Sequence, residues 1–162
     1  MDAPSHFLPE GSSVLTMSLQ QLIGPAMIVG ARKTLLGGEE LQYEDFIWPR
    51  EPMPGDRILL QTNWDKTWQT DAYFAKYPRL GVDLIKKLVM HDIALLGMDT
   101  PTPHDDQNEL IHHLLLDQQI VILEGLAQLA TVPVSAGQLI CLPLPLQGMD
   151  GSPARVVFGY ET

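Results

Sequence analysis

The sequence predicts an α/β fold in which a mixed β-sheet is flanked by helices. Two observations carry this expectation. Helical and strand-like segments alternate over residues 82 to 123, which calls for at least one parallel βαβ crossover, and the chain then closes on strand-like runs. With 162 residues, 45% of them apolar and 19% charged, there is material for one well-packed unit, and residues 1–162 read as a single domain. Thirteen prolines and thirteen glycines, spread along the length, predict many short elements.

The elements follow in order. SLQQLI, from Ser18, reads as one or two helical turns with Ser18 as N-cap and Gly24-Pro25 as the stop. AMIVGA is a short strand, and QYEDFI a brief helix before Trp48-Pro49. PGDRILLQT is a turn feeding a buried strand from Arg57 to Thr62. LGVDLIKKLVMHD is the clearest helix: Val82, Ile85, Leu88 and Val89 share one face, while Asp83, Lys86 and Lys87 take the other. IALLGMD is a strand, NELIHHLLLDQ a helix, and IVILEGL a strand that ends in an acid. QLICLPL and ARVVFGY are the closing strands. The single cysteine, Cys141, can form no internal disulfide and reads as a small buried hydrophobe.

Twenty acidic against ten basic residues leave a net charge of -10, which excludes the basic footprint that nucleic acids and anionic membranes require. No stretch approaches the roughly 20 apolar residues of a membrane span, and no basic-then-apolar leader opens the chain. A cytoplasmic protein is expected.

Chemistry concentrates in a few places. The opening MDAPSHF places Asp2 and His6 around Pro4. His112 and His113 are adjacent on one helix and point about 100° apart, so one faces the sheet and the other solvent; the pattern does not say which. Glu124 ends the buried run IVIL, and the C-terminal edge of an open α/β sheet is where ligands collect. A carboxylate entering a core needs a cationic partner, and Asp, His and Glu together favour a divalent metal such as zinc or manganese. Each residue also has a plainer reading: Asp2 as a frayed terminal acid, His112 as a satisfied helix histidine, Glu124 as the acid capping a helix at GLAQLA. Trp48, Trp64, Trp68, Tyr73 and Phe74 suit a flat pocket wall or ordinary packing, and Trp64 and Trp68, in the polar run QTNWDKTWQT, are expected to be exposed. Asp99 either orients the site through another side chain or caps the turn before Pro101. His91 and His104 read as surface histidines.

Together these segments resemble the cyclase family of metal-dependent hydrolases, which includes bacterial-type kynurenine formamidase and isatin hydrolase. DAPSHF resembles the second half of the signature H-x-G-T-H-x-D-x-P-x-H-F, at Asp2, Pro4, His6 and Phe7. The likeness continues in the family's order through GDRILLQTNWDKTW, AYFAKYPRLGVDLIKKLV, ALLGMDTPTPHD, HHLLLDQQIVILEGL and LPLPLQGMDGSPARVV.

The resemblance implies a swivelling β/β/α fold, a mixed sheet flanked by helices, lacking the family's first strands and N-terminally incomplete before Asp2. It implies metal ligation by Asp2, His112 and Glu124, with Asp2 bridging two ions, and His6 as the acid/base. His113 falls where the family has a non-ligand. Zinc or manganese is expected, as one or two ions, with the second site incomplete. Substrate contacts are expected from Trp64, Trp68 and Phe7, with Asp99 behind the site. The implied activity is hydrolysis of a small amide or cyclic amide, arylformamidase-like, at a C–N bond other than a peptide bond. The alternatives are an inactive remnant with weak or no metal binding, or a cyclase or dehydratase on a polyketide-like substrate. The expected partners are a small-molecule substrate and further copies of the chain, as a homodimer or larger homo-oligomer.

Overall fold

The computed structural model describes residues 1–161. Its elements are α1 (Leu19–Leu22), β1 (Ile23–Ala31), β2 (Glu40–Leu41), β3 (Phe46–Ile47), β4 (Arg57–Gln61), α2 (Ala72–Ala75), β5 (Arg79–Leu80), α3 (Val82–Met90), β6 (Leu95–Met98), α4 (Asn108–Leu116), β7 (Val121–Leu123), β8 (Ala136–Pro143) and β9 (Ala154–Gly159). The main sheet runs β7-β6-β4-β1-β8-β9, with β3 also on β1. Strands β1, β4, β6 and β7 are parallel, and β8 and β9 join antiparallel. The sheet is therefore mixed, as expected, with α3 and α4 as the crossovers from β4 to β6 and from β6 to β7.

The central strands are buried on both faces, so alternate residues enter two cores. Met27, Val29, Ile58, Leu60, Leu96, Met98 and Ile122 meet Leu84, Ile85 and Leu88 of α3 and Ile111 and Leu115 of α4. Their neighbours Ile28, Leu59, Leu95, Val121 and Leu123 face the other way, onto Leu126, Leu129, Leu139 and Cys141. Cys141 is fully buried, which pushes its thiol up to about 11.

Three local expectations are corrected. The stop after α1 is not Gly24-Pro25, since both lie inside β1 opposite Leu139 and Gln138. The helix ends at Leu22 because the buried Arg57 guanidinium donates to the carbonyls of Gln20 and Gln21, satisfying the helix terminus from another strand. On α3, Lys87 is not simply solvated: its ammonium lies 3.5 Å over the Tyr43 ring, and Leu84 adds to the buried stripe. QYEDFI forms only a 3-10 turn, Tyr43–Asp45, closed by a capping box with Gln42, before the chain enters β3. Among the described residues no helix is long and apolar enough to cross a membrane.

Leu115 is fully buried where α4 meets the sheet. Leu115→Ala is expected to cost about 2–5 kcal/mol in urea unfolding, while Met90→Ala, at an exposed position, stays within about 0.5 kcal/mol of the parent.

Candidate metal centre

The beginning of the chain is laid against the sheet. Asp2 N–H donates to the Ile122 carbonyl at 2.9 Å and Ala3 N–H to the Asp150 carbonyl at 2.8 Å, while Ser152 N–H donates to the Met1 carbonyl at 3.0 Å. Asp2 thus bridges antiparallel to Ile122 on one side and Gly151 on the other. It is 8% exposed, so the reading as a frayed terminal acid is overturned.

Glu124 directly follows β7. No α-helix follows at GLAQLA, only the 3-10 turn Leu129–Thr131, so Glu124 caps no helix. Gly125, at φ 63°, turns the chain so that its N–H reaches the Thr100 carbonyl at 2.9 Å and Leu126 N–H the Met98 carbonyl at 2.9 Å. The turn locks Glu124 at the edge where β6 and β7 end.

Of the two adjacent histidines, His112 faces inward and is 1% exposed, whereas His113 is half-buried. His112 Nδ1–H donates to the Asn108 carbonyl one turn earlier, at 2.8 Å, which leaves the Nε2 lone pair free. That Nε2 lies 3.7 Å from both Asp2 Oδ2 and Glu124 Oε1.

These three atoms lie within 4.8 Å of one another, and the two carboxylate oxygens are buried without a hydrogen-bond partner. At 3.7 Å they are too far from the imidazole for good hydrogen bonds. They suit one shared cation, since donors bound at about 2.0–2.2 Å sit roughly 3–4 Å apart. Burial, and then the Asp2 charge, raises Glu124 above the ordinary carboxylate range. Burial pulls His112 down, but the Asp2 carboxylate, the Asn108 carbonyl and Glu124 outweigh it, and the imidazole is raised overall. A divalent cation fits this donor set.

The remaining predicted residues sit around this trio. His6 is outside it, its ring centroid 6.1 Å from that of His112, with Nδ1 3.0 Å from Asp150 Oδ2. Phe7 stacks obliquely on His112 at 4.5 Å and 33°. Trp64 and Trp68 separate: Trp68 is exposed, but Trp64 is 7% exposed, its indole N–H donating to the Tyr73 carbonyl at 3.1 Å. The expected exposed pair is therefore half wrong. Asn63, left-handed at φ 64°, turns Trp64 under the loop, where its ring also lines a cavity of about 370 Å³ with Thr62 and Lys66.

Asp99 does not cap the turn before Pro101. It is 1% exposed and accepts from Thr62 N–H at 2.9 Å, from the Thr62 hydroxyl and from Asn63 N–H at 2.7 Å, tying the end of β6 to the loop after β4. This is why β4 ends at Gln61 and not at Thr62. His104 is not a surface histidine but 2% exposed; the Leu80 N–H to Pro103 carbonyl bond draws it under the small β2-β5 sheet.

Sequence reasoning missed two residues. Asn108 was accessible through helical i, i−4 spacing. Asp150 gave no such signal, being 144 residues from the His6 that it touches.

Fold and site together define a metal-dependent hydrolase. Residues 1–105 match the "Putative cyclase" family profile. Over 161 residues the chain is 35% identical to kynurenine formamidase from Bacillus cereus, covering 97% of this chain and 72% of that one, and it is 32% identical to kynurenine formamidase from Salinibacter ruber over 163 residues, with the same coverage. Among solved structures, a potential metal-dependent hydrolase with cyclase activity superposes with a TM-score of 0.80 at 28% identity, covering 96% of this chain and 74% of that one. An isatin hydrolase bound to thioisatinate superposes with a TM-score of 0.81 at 23% identity, covering 96% and 68%, and shows likeness of fold. The chain belongs to the putative cyclase family.

Asp99 gives the protein a pH signature. Burial raises it to about 6 from 3.8, against the Thr62 and Asn63 donors, so the folded state holds its proton more tightly than the unfolded one. Its contribution to stability is full below about pH 4 and is lost as pH rises through about 6. The wild type should therefore lose on the order of 2–3 kcal/mol relative to Asp99→Asn across that window in urea unfolding. A difference that stays flat with pH overturns this.

Proposed function

We propose that this chain hydrolyses the C–N bond of a small amide or cyclic amide, with an aryl formamide as the favoured substrate and zinc or manganese as the metal. The observation that carries the reading is the convergence of Asp2 Oδ2, Glu124 Oε1 and His112 Nε2, two of them buried and unpartnered, at the end of β7. The relatives named kynurenine formamidase favour a formamide over other amides.

Asp2, His112 and Glu124 would hold the ion. Bound there, it supplies Lewis-acid chemistry, polarising a carbonyl and drawing the pKa of water from about 15.7 toward 7. His6, beside the trio and partly exposed, carries the proton to the leaving nitrogen, a task that histidine performs near neutral pH. Phe7 covers the His112 ring and keeps water from it. Trp68 and Phe74, both exposed and both edge-on to Tyr73, offer flat surfaces to an aromatic substrate.

The assembly we propose is a homo-oligomer. Ile23, Ile140 and Val157 are exposed and lie in one row across β1, β8 and β9, an apolar strip suited to a second copy.

Asp2→Ala and Glu124→Ala are expected to lose metal by elemental analysis. His6→Ala keeps the metal and loses turnover of an N-formyl aromatic amine by about 10²–10⁴-fold. Full turnover in His6→Ala would remove its proton-transfer role, and a monomer in light scattering would remove the oligomer.

A further inference from the structure

We infer that Asp150 is a positioning residue that fixes the tautomer of His6. The inference rests on the reading of His6 as the proton carrier and deepens it. The juxtaposition behind it is the contact of Asp150 Oδ2 with His6 Nδ1 at 3.0 Å.

A carboxylate can only accept, so the ring nitrogen facing it must donate. Neutral His6 therefore carries its hydrogen on Nδ1, and Nε2, on the far side of the ring, keeps its lone pair. An unrestrained imidazole favours the opposite tautomer, with hydrogen on Nε2, which could not take up a proton there. The carboxylate thus leaves the outward nitrogen ready to accept a proton and stabilises the imidazolium that results. The same contact holds Asp150 below the usual carboxylate range.

Both partners are held in place by backbone. His6 closes the 3-10 turn Pro4–His6, with Pro4 near its start and the His6 N–H donating to the Ala3 carbonyl at 2.9 Å. Asp150 receives the Ala3 N–H on its own carbonyl, and the flanking Met149 carbonyl receives Val14 N–H at 3.1 Å. One residue thus grips the segment bearing Asp2 through its backbone and aims His6 through its side chain. The side chains of His6 and Asp150 are 38% and 51% exposed, so the pair adds little to stability, and removing it leaves a folded chain.

The test is long-range ¹H–¹⁵N correlation of the His6 ring in the metal-free full chain at about pH 8, where histidine is ordinarily neutral. The wild type is expected to show Nδ1 protonated and Nε2 bare. Asp150→Ala shifts the ring toward the Nε2–H form, and Asp150→Asn, whose amide oxygen can still accept, largely keeps the wild-type tautomer. In the metal-loaded enzyme, kcat falls about 10–100-fold in Asp150→Ala with KM within about twofold, and Asp150→Asn recovers most of the loss. A wild-type ring protonated on Nε2, an Asp150→Ala ring with unchanged tautomer, or an unchanged kcat overturns the inference. Failure of the underlying reading shows separately, as full turnover in His6→Ala.

Discussion

The site depends on one short piece of β-type pairing. Met1–Ala3 runs extended between Ile122 of β7 and the Asp150–Ser152 segment, hydrogen-bonded on both sides. These bonds set the height of Asp2 against the sheet edge and its distance from Glu124, two residues beyond Ile122. Without them nothing in the local sequence would bring Asp2 near another acid. Because they are backbone bonds, they hold whichever way the nearby charges titrate.

What is placed this way is electrostatically unfavourable by itself. Two carboxylate oxygens without partners face one imidazole nitrogen, at separations that hydrogen bonds do not bridge. Desolvation raises Glu124, and the second acid raises it further. Folding energy from elsewhere must hold such a cluster together, and here it comes from the two cores on either side of the sheet. A divalent cation reverses the balance, since the oxygens that repel one another then share its charge. The tension in the ligand-free arrangement and its fit to a metal have the same cause.

A second layer of contacts surrounds the trio without joining it. Asn108 orients His112, Asp99 holds the loop after β4 against the end of β6, and Asp150 meets His6. Each uses a carbonyl or carboxylate acceptor to place a neighbour and so orients groups around the site through a hydrogen bond. The loop that Asp99 anchors carries the buried Trp64 and, further on, Tyr73 with its two exposed aromatic neighbours.

Much of the fold was legible in the sequence. The α3 and α4 stripes, the apolar runs of β4, β6, β7 and β8, and the acid at the end of β7 follow from local periodicity, because a helix or a doubly buried strand leaves its repeat in neighbouring residues. The stop after α1 was not legible, because Arg57 supplies it from another strand. Nor was the burial of Trp64 and His104, which polar surroundings in sequence disguised. Residue types pointed to Asp2 and Glu124 but left His112 and His113 open, the choice of His112 came from the family resemblance, and the pairing of Asp150 with His6 left no mark in either stretch. The sequence by itself determined which side chains were available and which edge of the sheet they would reach. Only the tertiary structure decided which of them met, because hydrogen bonds between Met1–Ala3, β7 and the 149–152 segment join parts of the chain that no periodicity connects.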